Sequence, residues 1–200
     1  MSISSLRIPE VERALERVDH APEPQDPRAA AVAAILREGP SGLEILFIRR
    51  AERTGDPWSG HMAFPGGRRD PGDPDLLSTA IRETVEEIGV DLASLGRLLG
   101  VLDDQDASGR GKRDPMPLRP FVFELTGDPR FVLNSQEVSE VLWTPLAELL
   151  SEQAKTTITI QYHGQDYTLP AWDVGGRTVW GLTYWMMSSL VERLERVTRR

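Results

Sequence analysis

Residues 64–90, FPGGRRDPGDPDLLSTAIRETVEEIGV, decide how this chain is interpreted. In the second half of this stretch, apolar residues recur at helical spacing and share one face at about 100° per residue. The residues of that face are Leu77, Ile81, Val85 and Ile88. Gly89 follows at the position of a glycine that ends a helix. The pattern therefore predicts an amphipathic helix over 75–89.

The opposite face of this helix carries three carboxylates, Glu83, Glu86 and Glu87. Glu83 and Glu87 form an i, i+4 pair of like charge, and Glu87 lies near the helix C-terminus, where negative charge is disfavoured. Two interpretations remain open: a solvated acidic face, or a site for a hard cation such as Mg²⁺ or Mn²⁺. In the second, Arg82 would orient a carboxylate, as residues behind a metal site do. The backbone of Gly66 and Gly67 could then supply a carbonyl ligand.

Composition restricts the classes of protein that remain. The chain has 200 residues, a formal net charge of −8 and no cysteine. The absence of cysteine excludes disulfides, thiolate metal sites and thiol nucleophiles. The net charge disfavours nucleic acid as a partner, and no segment approaches the length of a membrane span. Because the first residues lack the apolar core of a signal peptide, we expect a cytoplasmic protein.

Strand and helix patterns alternate along the chain and predict an α+β fold. We expect residues 1–28 to form a helix (9–17) and a Pro-rich linker, and residues 29–200 to form one domain. The further elements predicted are strands at 29–37, 43–50, 97–104 and 118–125, a strand running into a helix at 140–149, a hairpin at 157–169, and a helix at 179–196 capped by Thr178.

The stretch 67–90 resembles the Nudix box, G-x5-E-x7-R-E-U-x-E-E-x-G-U, in which U is bulky and apolar. The matching residues are Gly67, Arg82, Glu83, Glu86, Glu87, Gly89 and Val90. The chain departs from the motif in three ways. Asp73 replaces the first glutamate, eight residues rather than seven separate it from Arg82, and Thr84 occupies an apolar position.

Flanking segments are similar to the coenzyme A diphosphatase branch of Nudix hydrolases. These are WSGHMAFPGG before the helix, NSQEVSEVLWTPL at 134–146 and TVWGLTYWMM at 178–187. Trp58 stands where that branch usually has a histidine, and Arg49 to Glu52 replace its R-S pair. Coenzyme A is therefore the leading substrate. The alternatives are another Nudix substrate class, such as nucleoside diphosphate sugars, ADP-ribose or dinucleotides, and a Nudix-fold binding module without catalysis.

The resemblance implies an α/β/α sandwich around a mixed sheet, with the box forming a loop–helix–loop. It also implies a small-molecule nucleotide substrate and Mg²⁺ or Mn²⁺ held by Glu83, Glu86, Glu87 and the Gly67 carbonyl. Such ions would neutralise the diphosphate and activate a water molecule. Coenzyme A would give 3′,5′-ADP and 4′-phosphopantetheine.

The identity of the general base stays open at this point. The catalytic residues expected are Arg82, Glu83, Glu86, Glu87 and Glu137. The candidates for the base are Glu83, Glu137, Glu140, Asp103 and Asp104. Each of these except Glu83 also fits plain surface charge.

For substrate binding we expect Arg50, Trp58 and Arg119. Arginine suits phosphate because its planar fork matches two oxygens. Arg119 belongs to a basic cluster with Arg110, Lys112 and Arg113, which could equally be a solvated loop, and Arg49 and Arg53 offer the same choice as Arg50. Trp172 and Trp58 are candidates for stacking on adenine, whereas His61 is expected to be structural or exposed. We assign Trp180, Trp185, Met186 and Met187 to the core or a dimer contact, and the amphipathic terminal helices could serve a homodimer.

Overall fold

The computed structural model describes residues 6–15, 22–54, 59–108, 114–162 and 164–198. Five helices and eleven strands are defined in these residues. The helices are α1 (Ile8–Leu15), α2 (Leu76–Ile88), α3 (Leu92–Leu95), α4 (Leu146–Leu149) and α5 (Gly181–Thr198). The strands are β1 (Ala30–Gly39), β2 (Gly42–Arg50), β3 (Met62–Ala63), β4 (Gly66–Arg68), β5 (Gly96–Val101), β6 (Gln105–Asp106), β7 (Pro117–Leu125), β8 (Val138–Pro145), β9 (Lys155–Tyr162), β10 (Gln165–Val174) and β11 (Arg177–Trp180).

Eight strands form one mixed sheet with the central order β3-β2-β1-β7-β5. β1 runs parallel to β7 and antiparallel to β2, with which it forms a hairpin that turns between Gly39 and Gly42. β8 lies along β2, β6 pairs with β7, and β4 pairs with β1. The mixed sheet expected from the resemblance is confirmed, as are the predicted strands at 29–37, 43–50, 97–104 and 118–125 to within a few residues.

The β1–β2 hairpin opens toward one end, and the segment 61–68 fills the opening. Near the turn the two strands pair with each other, but further on β1 pairs with β4 and β2 with β3. Ala33 N–H donates to the Pro65 carbonyl (2.8 Å), and Arg50 N–H donates to the His61 carbonyl (3.0 Å). These bonds fix the backbone that leads into the Gly66–Gly67 pair.

Helix α2 covers one face of the sheet. Its first turn is capped by Asp75, whose side chain accepts from Ser78 N–H, and it ends at Gly89 in the left-handed conformation (φ 72°). The core on this side is built from Ala29 and the small residues Ala31 and Ala33 of β1, together with Leu76, Ala80 and Ile88 of α2 and Phe121 and Phe123 of β7. The predicted helix and its terminal glycine are therefore confirmed.

The other face of the sheet is covered by α1 and α5, which completes the three layers of an α/β/α sandwich. Val11 and Leu15 of α1 pack in one core with Met187 and Leu190 of α5 and with Phe47 of the sheet. The helix predicted at 9–17 thus exists as α1 and contributes to the main core. The division of the chain at residue 28 stays a prediction from sequence.

A separate three-stranded antiparallel sheet, in the order β11-β10-β9, precedes α5. The predicted hairpin at 157–169 is confirmed by the pairing of β9 with β10. The helix predicted over 179–196 is confirmed as α5, but its predicted start and its cap at Thr178 are wrong, because residues 177–180 form β11, in which Thr178 pairs with Asp173. The helix begins only at Gly181, whose φ of 64° suits glycine. None of the helices in the described residues combines the length and apolar character needed to cross a bilayer.

Candidate active site

The Gly66–Gly67 backbone lies between β1 and α2, and close contacts surround both glycines. Gly66 has a φ of 151°, and a Cβ at this position would lie 2.3 Å from the Ala31 carbonyl oxygen. A Cβ on Gly67 would lie 2.5 Å from the Glu83 carboxylate. The Gly66 contact is with the backbone of β1, which cannot move aside, so this position requires glycine. At Gly67 a side chain would displace the Glu83 carboxylate from its observed position.

Glu87 is buried beneath this loop, although the helical periodicity placed it on the polar face opposite the apolar residues. The residue is only 3% exposed, and its Oε2 accepts a hydrogen bond from Gly66 N–H (2.9 Å). Burial raises the pKa of Glu87 to about 8; the negative charges of Glu83 and Glu137 act in the same direction, against the Gly66 N–H and the Arg50 charge. A buried carboxylate with excess negative charge around it favours an added cation or proton.

The expected apolar face of α2 is correspondingly displaced. Val85 is 43% exposed, whereas Thr84 is fully buried and donates its hydroxyl to the Ala80 carbonyl (2.7 Å). The helix is thus rotated relative to the face that its hydrophobic residues suggest. Small side chains of α2 therefore face the alanines of β1, and the same rotation buries the Glu87 side chain.

Arg82 organises the remaining carboxylates of the helix. Its Nη1 donates to Glu83 (2.9 Å) and to Glu86 (2.8 Å), and its Nε and Nη2 donate to Asp73 (3.0 Å each). The Arg82 bonds hold the pKa of Asp73 down at about 2, although burial opposes this effect. Asp73, the residue that departs from the Nudix box, therefore pairs with Arg82 and also accepts from the Thr79 hydroxyl (2.8 Å).

Glu83 and Glu86 differ in their surroundings. The Glu83 side chain is 15% exposed, and its burial raises its pKa, which the Arg82 charge and hydrogen bond partly offset. The Glu86 side chain is 51% exposed. Glu83 therefore lies in the interior with Glu87, and Glu86 lies at the solvent edge of the cluster.

The oxygen atoms of this cluster are of the kind that bind a hard divalent cation. The cluster offers carboxylate oxygens and the backbone of Gly67, which are the ligand types that Mg²⁺ and Mn²⁺ take. The raised pKa of the buried Glu87 carboxyl also indicates a place short of positive charge. In the part of the chain that the structure describes, no three carboxylates or imidazoles are gathered as a ready-made ion shell. Glu83 and Glu86 are instead drawn toward Arg82.

A cleft of about 460 Å³ opens on the other side of the Gly66–Gly67 backbone. Both glycines and Arg50 line this cleft. The cleft therefore lies beside the carboxylate cluster, because Gly66 N–H binds Glu87 and the Arg50 charge acts on it. The rest of the wall is mostly apolar and is made by Met62, Phe64, Met116, Leu118, Trp180, Leu182 and Met186. The cleft can thus hold an apolar or aromatic group beside a diphosphate at the glycines.

The expected substrate residues have different locations. Arg50 lines the cleft. Arg119 does not, because its guanidinium is 8% exposed, forms two bonds to Asp104 (2.7 and 2.8 Å) and donates to the Pro22 carbonyl. We therefore correct the assignment of Arg119 to a buried structural ion pair. Trp58 and the loop residues 110–113 lie outside the described residues.

The tryptophans are also reassigned. Trp172, expected as a stacking surface, is 5% exposed and packs against Tyr184 in the core. Trp180, expected in the core or at a dimer contact, lines the cleft, and its ring meets the His61 ring edge-on with centroids 4.8 Å apart. Trp185 is 53% exposed. The misplaced helix start explains the error at Trp180, which belongs to β11. Trp172 was interpreted as a loop residue, whereas β10 extends to Val174 and includes it.

The candidates for the general base can now be compared by their partners. Asp103 pairs with Arg193 (2.7 Å), Asp104 with Arg119, and Glu140 with Arg177 (2.5 Å). Glu137 is held more loosely by Arg53 (3.8 Å), and its side chain is 41% exposed. Its negative charge raises the pKa of both Glu83 and Glu87, which places it beside the cluster. Glu137 and Glu83 therefore remain the two candidates.

Sequence reasoning missed Arg68, the residue that follows the glycine pair. Arg68 belongs to β4, lines the cleft and is exposed. The only available signal was its place directly after the glycines, and the alternation of side chains along β4 could not be assigned before the strand was known.

The fold and this site define a Nudix protein, and a family model for the NUDIX domain agrees, matching residues 27–162. The chain belongs to the Nudix hydrolase family. Among curated relatives, human mitochondrial coenzyme A diphosphatase NUDT8 is 36% identical over 167 residues, which cover 78% of this chain and 65% of that protein. An uncharacterised protein of Schizosaccharomyces pombe is 41% identical over 118 residues, covering 58% of this chain but 36% of that protein. This chain thus aligns with less than two thirds of the length of these two relatives.

Among solved structures, the MutT protein of Methanosarcina mazei Go1 is similar, with a TM-score of 0.53 and 21% identity. The match covers 89% of this chain and all of that chain (100%). This likeness supports the fold. Because the human relative is described as mitochondrial, the cytoplasmic location stays a prediction from sequence.

Proposed function

We propose that this chain hydrolyses a nucleoside-linked diphosphate with the help of Mg²⁺ or Mn²⁺, and that coenzyme A or a derivative is the leading substrate. The observation that carries the proposal is the buried Glu87 carboxylate, which shares its site with Glu83 directly behind the glycines that line the cleft. The similarity to a coenzyme A diphosphatase supports the choice of substrate. The products would be 3′,5′-ADP and 4′-phosphopantetheine.

The cation would be held by Glu83, Glu86, Glu87 and the Gly67 carbonyl. When bound, it would neutralise the diphosphate and lower the pKa of a water molecule. Arg82 keeps the Glu83 and Glu86 carboxylates on one side of the helix, and Asp73 anchors Arg82 in turn. In the reaction, the water oxygen bonds to one phosphorus while the bond from that phosphorus to the bridging oxygen breaks.

Glu137 is our choice for the group that takes the proton from the attacking water. It lies beside the carboxylate cluster, and its ion pair with Arg53 is long enough to leave its oxygens accessible. Its backbone is fixed, because Ala51 N–H donates to the Glu137 carbonyl (2.7 Å). Glu83 is the alternative, but its carboxylate is already engaged by Arg82.

The decisive experiment is a substrate panel with Mg²⁺ and with Mn²⁺, resolved by chromatography. Coenzyme A, ADP-ribose, a nucleoside diphosphate sugar and a dinucleotide should be compared. We expect turnover of coenzyme A to exceed that of the others. Turnover of ADP-ribose without turnover of coenzyme A would overturn the substrate assignment, and no turnover of any diphosphate would overturn the hydrolase assignment.

Variants connect the activity to the cluster. Glu83→Gln should lower kcat by about 100-fold or more, because it removes a charge required for holding the cation. Glu192→Gln is the matched control, since Glu192 lies on α5 with a side chain 67% exposed and outside the cleft lining. Titration with Mn²⁺ should show weaker binding in Glu83→Gln only. If Glu83→Gln were as active as Glu192→Gln, Glu83 would not hold the cation in the reaction.

A further inference from the structure

One arginine that lines the cleft, Arg68, has no acidic partner in the part of the chain that the structure describes. Arg68 lies in β4 next to Gly67, opposite Ala30 of β1, and is exposed to the cleft. Among the described residues, its guanidinium forms neither an ion pair nor a hydrogen bond. Its backbone is well anchored, because the Arg68 carbonyl accepts from Arg82 Nη2 (3.0 Å). The charge is therefore presented from a fixed strand.

Two neighbouring arginines, Arg28 and Arg69, differ from Arg68 because their guanidinium groups already bind other groups of the protein. Arg28, also in the cleft lining, binds Asp26 (2.6 Å) and Asp114 (2.5 Å). Arg69 is outside the cleft lining and donates to the Asp73 and Pro74 carbonyls. The alternation of side chains along an extended segment separates Arg68 from Arg69. Arg68 thus combines access to the cleft with unused donors.

We propose that Arg68 binds the diphosphate of the substrate, through non-bridging oxygens on the side of the cleft; this inference rests on the proposed function. The α2 side of the glycines carries carboxylates, which repel a diphosphate and can hold it only through a cation. Arg68 is next in sequence to the Gly67 carbonyl proposed as a ligand, so its donors are within side-chain reach of the same anion. The planar fork of arginine matches two phosphoryl oxygens and stays charged at every working pH.

The test compares Arg68→Ala and Arg68→Lys with Arg130→Ala, which removes an exposed arginine outside the cleft lining. Coenzyme A and 3′-dephospho-coenzyme A serve as substrates. Losing charge-assisted hydrogen bonds to the diphosphate should lower kcat/KM of Arg68→Ala by about 10- to 100-fold for both substrates equally. Arg68→Lys should recover part of this loss, and Arg130→Ala should leave the rate unchanged. A loss confined to coenzyme A would overturn the proposal, because Arg68 would then bind the 3′-phosphate.

A binding measurement separates this proposal from the proposed function. The non-hydrolysable diphosphate α,β-methylene-ADP, titrated in Mg²⁺-free buffer, should bind Arg68→Ala about 10-fold more weakly than the unmodified protein. If the protein hydrolyses no diphosphate but shows this difference, the hydrolase assignment fails and the role of Arg68 stands. If it hydrolyses diphosphates and neither rate nor binding depends on Arg68, only the role of Arg68 is overturned.

Discussion

Replacing Glu87 by glutamine should make the cation-free protein more stable at neutral pH. Glu87 is almost completely buried, and its pKa in the folded protein is raised to about 8 from an ordinary value of 4.5. A carboxyl whose folded pKa is raised contributes stability at low pH, and that stability is lost as the pH rises from the unfolded pKa to the folded pKa. Folding takes up a proton at this residue between these two values.

The size of the effect follows from the two pKa values. Each pH unit in this window changes the free energy of unfolding by about 1.4 kcal/mol, because one proton is taken up on folding. Between pH 5 and pH 7.5 the contribution of Glu87 should therefore fall on the order of 3 kcal/mol. Glutamine keeps an oxygen that can accept from Gly66 N–H and carries no charge. Over this pH range the stability of Glu87→Gln should therefore exceed that of the unmodified protein by a growing margin.

Urea unfolding in EDTA at a series of pH values measures this margin directly. Glu86→Gln is the control, because it removes a carboxylate from the same helix at a side chain that is half-exposed. Adding Mn²⁺ at pH 7.5 should stabilise the unmodified protein much more than Glu87→Gln. Parallel pH curves for the unmodified protein and Glu87→Gln would refute the argument that Glu87 is buried without sufficient positive charge.

Three further predictions concern the loop and the cleft. Asp73→Ala should lower the free energy of unfolding by about 2–3 kcal/mol above pH 4, since it leaves Arg82 without its main partner, and the difference should disappear as urea unfolding is measured toward pH 2. Trp180→Leu should raise KM several-fold with little change in kcat, whereas Trp185→Leu, outside the cleft, should change neither in steady-state assays. Gly66→Ala should cost about 3 kcal/mol or more in thermal or urea unfolding, because its Cβ would meet the Ala31 carbonyl; an unchanged midpoint would contradict this contact.

Local signals predicted the main elements around the site. The helix over 75–89 was recognisable from its periodicity and from Gly89, and the structure adds the Asp75 cap. The Nudix box then gave the fold and located the carboxylates. What sequence alone could not provide was the rotation of α2. That rotation is set by the alanines of β1, which are distant in sequence and leave room for the small side chains of Ala80 and Thr84.

The error at the C-terminal helix has a similar cause. Residues 178–187 have apolar spacing that fits a helix, but Val179 pairs with Trp172 across the second sheet. Tertiary pairing overrides local preference there, and the chain enters the helix only after Gly181. This shift accounts for the error at Trp180, which lines the cleft. The error at Trp172 arose because β10 continues through it to Val174, which buries its ring in the core.

The small residues of β1 and the glycine pair together account for the electrostatics of the candidate site. Because Gly66 has no Cβ, its backbone lies close to that of Ala31 and Val32, and its N–H reaches Glu87. Because a buried carboxylate is stable only with hydrogen bonds and compensating charge, this packing produces a place for positive charge at the end of the cleft. Backbone contacts thus hold a buried carboxylate beside the cleft, and this arrangement supports the cation site proposed above.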